Sequence, residues 1–281
     1  MHCLVDGEPA SSLPLDDRGL QFGDGLFETL AVQSGEARFL ARHIARLAAG
    51  CERLGFPAID WQLIRDEIKA LIADRHTGVV KLIVTRGSSQ RGYAGNSNAP
   101  VRRILCFSDF PQWPGNPASR GIRARLCRTQ LAIQPQLAGL KHLNRLEQVL
   151  ARREWQDETV REGLLCDTQG QMIEGTMSNL FLVNDGVLQT PRLDACGVAG
   201  IMRSVIIDIA AATSIPVETG SFSRQDVQQA DEVFVCNSLI GIWPVVVIDN
   251  VGEYPVGTVA CRLQTLVQNH DDHHSNHWYA M

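Results

Sequence analysis

The stretch "LAGLKHLNRLEQVLARREW", residues 137–155, carries one of only three lysines in the 281-residue chain. Lys69 occupies the polar face of a predicted helix, and Lys81 points outward from an apolar strand. Lys141 instead follows a glycine and lies between leucines, where an apolar run meets a helix-like pattern. Because an amine at such a junction loses hydration, its pKa falls and it can act as a nucleophile or base near neutral pH. Lys141 is therefore the candidate reactive amine, although a lysine at the start of a helix can also be purely structural.

The composition predicts a globular protein with two modest domains. The chain is long enough for two cores, and 44% of its residues are hydrophobic. A formal net charge of -5, without a long basic stretch, argues against nucleic acid as a partner, because such binding requires neutralisation of phosphate charge. The most apolar window, residues 233–248, contains two polar residues and a proline and is shorter than the roughly 20 residues that a membrane span needs. Since the N-terminus also lacks the pattern of a secretory signal, we expect a cytoplasmic protein with no membrane partner.

The eight cysteines are scattered along the chain and show neither a CxxC pair nor a cysteine–histidine spacing typical of zinc sites. We therefore predict no metal and interpret the cysteines as small buried hydrophobic residues. The sequence "HDDHHSNHWYAM" closes the chain and could contact metal. A polar, disordered tail over residues 271–281 is the simpler interpretation.

Strand and helix patterns alternate through both halves of the chain. The segment "FETLAVQSGEARF", residues 27–39, predicts a hairpin, and amphipathic helices follow over about residues 41–54 and after Asp60. The stretch "PQWPGNPASRG" then combines three prolines with two glycines, which is typical of a linker. We expect the following organisation: a small N-terminal α/β domain over 1–112, a linker over 113–119 and a larger C-terminal domain over 120–270.

A lysine that forms a Schiff base needs an electron sink, and the commonest solution in proteins is pyridoxal 5'-phosphate. Its phosphate requires hydrogen-bond donors. Candidates are the backbone N–H groups of Ile201 and Met202 at a predicted helix start, the guanidinium of Arg46, and the side chains of Asn237 and Ser238 after a strand. Each of these residues also has an ordinary structural explanation as a helix cap or a surface residue.

The candidate acid is Glu174 in "GQMIEGTMSNLF", residues 170–181, a lone carboxylate on an otherwise apolar hairpin. A carboxylate beside the pyridine nitrogen keeps that nitrogen protonated, which allows the ring to accept electrons. The alternative is an exposed hairpin residue without a catalytic role.

The order of the motifs resembles, end to end, that of the fold type IV pyridoxal-phosphate enzymes. This family contains branched-chain and D-amino-acid aminotransferases and 4-amino-4-deoxychorismate lyases. The resemblance covers about residues 1–265 and rests on "QFGDGLFET", "HIARL", Lys141, "EGTMSNLF", "TPRLDACGVAGIMR" and "ADEVFVCNS". It implies an α/β (α+β, two-domain) fold with a small N-terminal domain, a larger barrel-like C-terminal domain, the cofactor in the cleft between them, and a homodimer.

The resemblance also implies roles for individual residues. Lys141 would bind the cofactor covalently, Glu174 would pair with the pyridine nitrogen, and Arg46 would clamp the phosphate. The remaining phosphate-binding positions would be Ile201, Met202, Asn237 and Ser238. Thr29, a small hydroxyl residue after the glycine-rich segment, would line the pocket as a third catalytic candidate.

Three motifs look like the lyase branch of the family: "KHLNRLEQVLAR", "TRGSSQRGY" and "GIMRS". Aminotransferases usually carry threonine where this chain has Met202, and the branched-chain enzymes carry a tyrosine near the position of Arg145. The implied reaction converts 4-amino-4-deoxychorismate to 4-aminobenzoate and pyruvate, a step toward folate. Lys141 would remove the C4 proton of this small-molecule substrate as general base.

The substrate carries two carboxylates, and Arg91, Tyr93 and Arg145 are the candidates to bind them. A surface-loop role for the first two is an equally open alternative. Two rival functions also stay open. The protein could be an aminotransferase of the same fold, which would require a keto acid, or a pyridoxal-phosphate-binding protein without turnover.

Overall fold

The computed structural model describes residues 2–89, 91–95 and 99–270, so the predicted tail over 271–281 lies outside the described residues. The chain divides into two compact units: Met1–Gln112 with Leu140–Asn144, and Trp113–Gly139 with Arg145–Met281. The short segment that carries Lys141 therefore belongs to the first unit, although its neighbours in sequence belong to the second. No helix in the described ranges has the length and apolar character that crossing a membrane requires.

The first unit contains a six-stranded antiparallel sheet and two long helices. Its elements are β1 (His2–Val5), β2 (Glu8–Pro9), α1 (Arg18–Phe22), β3 (Gly25–Gln33), β4 (Glu36–Ala37), α2 (Leu40–Arg53), α3 (Trp61–Ile72), β5 (Thr77–Thr85) and β6 (Arg102–Ser108). The strand order is β2-β1-β6-β5-β3-β4. The predicted hairpin is the β3–β4 pair, in which Gln33 opposes Glu36.

Strand β3 alternates between a fully buried and a half-buried face. Leu26, Glu28 and Leu30 are buried, whereas Phe27 and Thr29 between them are half-buried. This is the period of two that a strand imposes on its side chains. The charged residue Glu28 therefore lies on the buried face of β3.

The two long helices agree with the sequence prediction. Helix α2 buries the apolar residues that recur at helical spacing, and it packs against β3. Helix α3 begins at the predicted cap, because the Asp60 side chain accepts hydrogen bonds from the N–H groups of Gln62 and Leu63, both at 3.0 Å. Lys69 and Lys81 are exposed, as predicted.

The second unit contains a closed ring of strands. Its elements are α4 (Pro117–Arg120), β7 (Ile122–Leu126), α5 (Leu146–Arg152), β8 (Val160–Cys166), β9 (Met172–Gly175), β10 (Asn179–Asn184), β11 (Val187–Pro191), α6 (Ile201–Ala212), β12 (Val217–Gly220), α7 (Arg224–Gln229), β13 (Glu232–Asn237), β14 (Gly241–Asp249), β15 (Gly252–Glu253) and α8 (Thr258–Gln268). The path β10-β13-β14-β7-β8-β9 closes because β9 also pairs with β10, where Glu174 opposes Asn179. The predicted barrel-like domain and the mixed α/β fold class are confirmed.

Residues 113–119, which the sequence suggested as a linker, are ordered parts of the second unit. Trp113 packs against the barrel core, with its ring 5.2 Å from that of Trp243 and nearly perpendicular to it. Pro117 is buried and starts α4. Proline and glycine here fix tight local geometry at the start of the second unit.

A helix follows Lys141, as the pattern indicates, but it starts only at Leu146, and its apolar residues Leu146, Val149 and Leu150 are 75%, 50% and 54% exposed. The interpretation of the cysteines as buried hydrophobic residues is wrong for Cys261, which is exposed on α8, and for Cys3 and Cys106, which lie opposite each other on β1 and β6 and form a disulfide. The cysteine pattern could not reveal this pair, because the two residues are 103 positions apart in sequence and only the sheet brings them together.

Candidate active site

Lys141 lies in an extended segment that runs beside the start of β3. The N–H of Phe27 donates to the Lys141 carbonyl at 3.0 Å, and the N–H of Leu143 donates to the Gly25 carbonyl at 3.0 Å. The Lys141 Nζ is 4.3 Å from the centroid of the Phe27 ring, a distance typical of a cation–π contact. Backbone pairing with a buried strand therefore fixes the position of the half-buried amine.

Arg46 belongs to a buried charged cluster on the same unit. The Arg46 Nε donates to Glu28 Oε1 at 2.7 Å, and its Nη2 donates to Glu28 Oε2. The His43 Nδ1 forms a third hydrogen bond to Glu28 Oε2 at 2.6 Å. His43 and Arg46 both project from α2 toward Glu28 of β3 and therefore share one helical face.

The charges of this cluster follow from burial and pairing. Burial alone would raise the pKa of the Glu28 carboxyl, but the Arg46 guanidinium and His43 outweigh it and lower the pKa to about 2. Burial lowers the pKa of His43 and outweighs the opposite effect of Glu28. We therefore assign a carboxylate, a guanidinium and a neutral imidazole, in which Nδ1 carries the proton and Nε2 has no hydrogen-bond partner among the described residues.

Thr29 lies on the face of β3 opposite to Glu28. It opposes Lys81 in the register of β3 and β5, and Lys81 Nζ is 5.5 Å from the Phe27 ring centroid. Phe27 and Thr29 thus share a half-buried face with two lysines, Lys81 and Lys141, near the same ring. The catalytic role of Thr29 stays a prediction.

Glu174 lies on β9 of the second unit and is only 4% exposed, which excludes the exposed-hairpin alternative. Its Oε2 accepts a hydrogen bond from the N–H of Val198 at 2.8 Å. Asn179, its neighbour across the sheet, donates through Nδ2 to the Val198 carbonyl at 2.8 Å. Glu174 and Asn179 therefore bind the N–H and the carbonyl of Val198, a residue in the loop that leads to α6.

The backbone groups predicted to bind an anion, those of Ile201 and Met202, lie at the N-terminus of α6. Gly200 is the N-cap residue and offers no side-chain cap, so the first N–H groups of the helix, including those of Ile201 and Met202, have no acceptor within the helix. A Cβ at position 200 would lie 1.9 Å from the Asn179 Oδ1. Glycine is thus required here by close approach.

Asn237 has a local structural function at the end of β13. Its Oδ1 accepts hydrogen bonds from the N–H groups of Leu239 and Ile240 at 2.8 and 2.9 Å, and its Nδ2 donates to the Met177 carbonyl at 3.0 Å. The side chain therefore builds the turn that contains Ser238. Direct contacts of Asn237 or Ser238 with a phosphate stay predictions.

The three candidate carboxylate-binding residues lie on different units. Arg91 is exposed and Tyr93 is 86% exposed, both in a loop of the first unit. Arg18 holds this loop, because its Nη1 and Nη2 donate to the carbonyls of Gly92 and Tyr93 at 2.9 and 2.8 Å. Arg145 belongs to the second unit, where burial lowers the pKa of its guanidinium while the nearby charges of Glu174 and Glu147 act in the opposite direction.

Sequence reasoning missed a second buried carboxyl, Glu162 on β8. Its oxygens accept hydrogen bonds from the N–H groups of Gly163 and Thr176 at 2.9 Å, and from the hydroxyls of Thr176 and Ser178 at 2.6 Å. Burial nevertheless raises the pKa of Glu162. The residue shapes the turn that joins Glu174 to Asn179.

A sequence signal existed for the missed residues, but it was indirect. Glu28 is a charged residue inside an otherwise apolar strand pattern, and Glu162 follows Arg161 at the start of an apolar strand, so each predicts either an exposed edge or a paired buried charge. Asn179 follows a turn and starts an apolar strand, which is unremarkable in sequence. Only the tertiary contacts distinguish these possibilities.

Comparison with known proteins assigns the chain to a family. Residues 25–248 match the model of the family described as amino-transferase class IV. The chain is 37% identical over 265 residues to an aminodeoxychorismate lyase of Vibrio harveyi, which covers 92% of this chain and 97% of that protein. It is 31% identical over 252 residues to a D-alanine aminotransferase of Listeria monocytogenes, covering 88% and 86% respectively.

Solved structures agree. A crystal structure of 4-amino-4-deoxychorismate lyase from Pseudomonas aeruginosa superimposes with a TM-score of 0.92 at 49% identity, covering 96% of this chain and 99% of that one. The family model spans most of the sequence, from β3 through β14, and so includes Lys141 and Glu174. The chain belongs to the class IV aminotransferase family.

Proposed function

We propose that this protein is a pyridoxal-phosphate-dependent lyase that converts 4-amino-4-deoxychorismate to 4-aminobenzoate and pyruvate. The observation that carries the proposal is the similarity to the Vibrio harveyi lyase over nearly the full length of both chains. The similarity to the Pseudomonas aeruginosa lyase supports it at higher identity. We also propose a cytoplasmic location, as the sequence predicts.

The residues present fit pyridoxal phosphate. Gly200, the N-cap of α6, provides no side-chain cap, so the first N–H groups of the helix have no acceptor within it, an arrangement that suits an anion. Glu174 is a buried carboxylate suited to a protonated ring nitrogen. The groups that would hold the cofactor are Lys141, Arg46, Glu174, the backbone of Ile201 and Met202, and Ser238 with Asn237.

Pyridoxal phosphate, when bound, supplies a ring that withdraws electrons from the substrate carbon next to the amino group. The Lys141 Nζ, fixed beside Phe27, removes the proton from C4 of the substrate. Glu174 holds a proton at the ring nitrogen. The carbon–oxygen bond at C3 then breaks, the enolpyruvyl group leaves and becomes pyruvate, and the remaining ring becomes aromatic, so no keto acid is consumed.

The two carboxylates of the substrate require cationic or polar partners. Arg145, which is close enough to Glu174 for their charges to interact, is one candidate. Arg91 and Tyr93, in the loop that Arg18 holds, are the others. We expect Thr29, on the same face of β3 as Phe27, to contact the substrate or the cofactor.

A homodimer fits an exposed apolar surface on the second unit. This surface is formed by Leu146, Val149 and Leu150 of α5, three apolar residues that are each at least half exposed on consecutive turns. A second copy of the chain is the partner that the family resemblance implies. Burial of this surface in a dimer would remove its contact with water.

An aminotransferase is the second candidate function, because the chain is also 31% identical to the Listeria monocytogenes D-alanine aminotransferase. The two functions differ in their co-substrates. A lyase forms products from 4-amino-4-deoxychorismate alone, whereas an aminotransferase requires both an amino acid and a keto acid.

The deciding experiment incubates the purified protein and pyridoxal phosphate with 4-amino-4-deoxychorismate and no keto acid. We expect equimolar 4-aminobenzoate and pyruvate. Parallel reactions contain D-alanine or a branched-chain amino acid with 2-oxoglutarate. Turnover only in the parallel reactions would replace the lyase with an aminotransferase, and cofactor binding without turnover in any reaction would favour the non-catalytic alternative.

A further inference from the structure

Glu28 and His43 have no role in the reaction described above, although they are among the most deeply buried polar residues of the first unit. Each is 1% exposed. Glu28 bonds directly to Arg46, the residue expected to clamp the cofactor phosphate, and His43 bonds to Glu28. An inference about them therefore rests on the proposed function.

The geometry fixes the Arg46 guanidinium in one plane. Glu28 accepts hydrogen bonds from the Arg46 Nε at 2.7 Å and from Nη2, so one edge of the fork is held by two bonds. The guanidinium has five N–H donors in a rigid planar fork, and Glu28 accepts from two of them. His43 in turn holds Glu28 at 2.6 Å, which restricts rotation of the carboxylate.

Stability alone is a poor explanation for this cluster. Burial of a carboxylate is unfavourable, and a hydrophobic pair of similar volume at a helix–strand contact is often as stable or more so. The cluster also leaves the His43 Nε2 buried without a hydrogen-bond partner among the described residues. Such an arrangement is better explained by the need to orient the guanidinium.

The cluster is also close to the reactive amine. Phe27, next to Glu28 in β3, contacts the Lys141 Nζ through its ring and the Lys141 carbonyl through its N–H. The Lys141 charge is near enough to act on His43. One short piece of strand therefore sets the positions of both Lys141 and Arg46.

We propose that Glu28 is a positioning residue for the phosphate of pyridoxal phosphate: it orients the Arg46 guanidinium, and His43 holds Glu28 in place. The net charge of the Glu28–Arg46 pair is zero, so Arg46 binds phosphate through directed N–H donors rather than through an excess positive charge. This distinguishes positioning from simple charge balance. If Glu28 only balanced charge, its neutral substitute would strengthen phosphate binding.

The test measures dissociation constants of pyridoxal phosphate and of pyridoxal, which lacks the phosphate, by absorbance titration of the purified protein. The dissociation constant of pyridoxal divided by that of pyridoxal phosphate reports how much the phosphate contributes to binding. We expect Glu28→Gln to reduce this ratio by about tenfold, the effect of losing an oriented, charge-assisted contact. Pyridoxal binding itself should be unchanged.

Matched variants separate the possible outcomes. Glu67→Gln removes another glutamate–arginine pair of the same unit, in which Arg103 Nη2 donates to Glu67 Oε1 at 2.9 Å, and should leave the ratio unchanged. In an Arg46→Ala background, Glu28→Gln should have no further effect on the ratio, because Glu28 acts through Arg46. If Glu28→Gln does not fold, His43→Asn replaces it, with a smaller reduction expected.

An unchanged or increased ratio in the folded Glu28→Gln variant would overturn the inference and leave the proposed function intact. A further effect of Glu28→Gln in the Arg46→Ala background would also overturn it. Failure of the wild-type protein to bind pyridoxal phosphate at all would overturn the inference together with the proposed function.

Discussion

Glu174 and Asn179 face each other across the β9–β10 pair and hold the same residue, Val198, from its two polar sides. Glu174 accepts from the Val198 N–H and Asn179 donates to the Val198 carbonyl, both at 2.8 Å. Because Val198 lies in the loop that leads to α6, this contact joins the proposed partner of the ring nitrogen to the proposed phosphate-binding helix start. A single displacement in the loop would disturb both.

Asn179→Ala should therefore weaken cofactor binding as well as stability. Removal of the amide leaves the half-buried Val198 carbonyl without this donor, at a cost of about 1 kcal/mol in the free energy of unfolding. Denaturant unfolding and pyridoxal phosphate titration measure the two effects. Asn184→Ala, on the same strand and bonded to Gln189, is the control and should change neither the cofactor affinity nor the activity.

Gly200→Ala should destabilise the protein because its Cβ would overlap the Asn179 Oδ1. We expect a loss of about 1–3 kcal/mol, typical of overpacking. The double variant Gly200→Ala with Asn179→Ala should lose less than the sum of the two single variants, since the overlap is gone. Simple additivity of the unfolding free energies would contradict the contact.

Lys141→Ala should abolish covalent attachment of pyridoxal phosphate and reduce kcat by about 10²–10⁴-fold or more, the range typical of losing a general base. Borohydride treatment followed by mass spectrometry of peptides locates the attachment. Lys81→Ala tests the neighbouring lysine near the same ring and should leave the modified position at Lys141. Attachment at Lys69 or Lys81 in the wild-type protein would be incompatible with the proposed site.

Glu162 should make the protein less stable as pH rises. Its folded-state pKa is raised by burial above the ordinary value of 4.5, so its stabilising contribution is complete below that value and is lost as pH rises through the folded pKa. Glu162→Gln removes the titrating proton but keeps an acceptor oxygen for the Gly163 and Thr176 donors. Between pH 4 and pH 8 the unfolding free energy of the wild type should therefore fall relative to that of the variant. A difference that stays constant over this range would show that the pKa of Glu162 is not raised.

Val149→Glu should disrupt the proposed dimer. The substitution places a charge at the centre of the exposed apolar surface of α5, which would have to be desolvated in an interface. Light scattering after size exclusion should give half the wild-type mass. Leu63→Glu, on an exposed position of α3 in the other unit, is the control, and an equal effect of both variants would argue against a specific interface.

Local sequence patterns predicted the two long helices of the first unit and pointed to the chemical candidates. Period and capping predicted α2 and α3, and the scarcity of lysine drew attention to Lys141. Glu174 stood out as a lone carboxylate in an apolar hairpin. These features depend on neighbours within a few residues, where the chain geometry is fixed by its covalent period.

By itself the sequence determined which groups are available: one amine at an apolar junction, one carboxylate on a hairpin and a glycine before a helix. Only the tertiary structure decided that residues 140–144 pair with β3, that Glu28 receives Arg46 and His43, and that β9 and β10 close the ring around Glu174 and Asn179. The reason is that hydrogen bonds between residues far apart in sequence depend on sheet register and closure, which are set by the packing of the whole unit and have no local period.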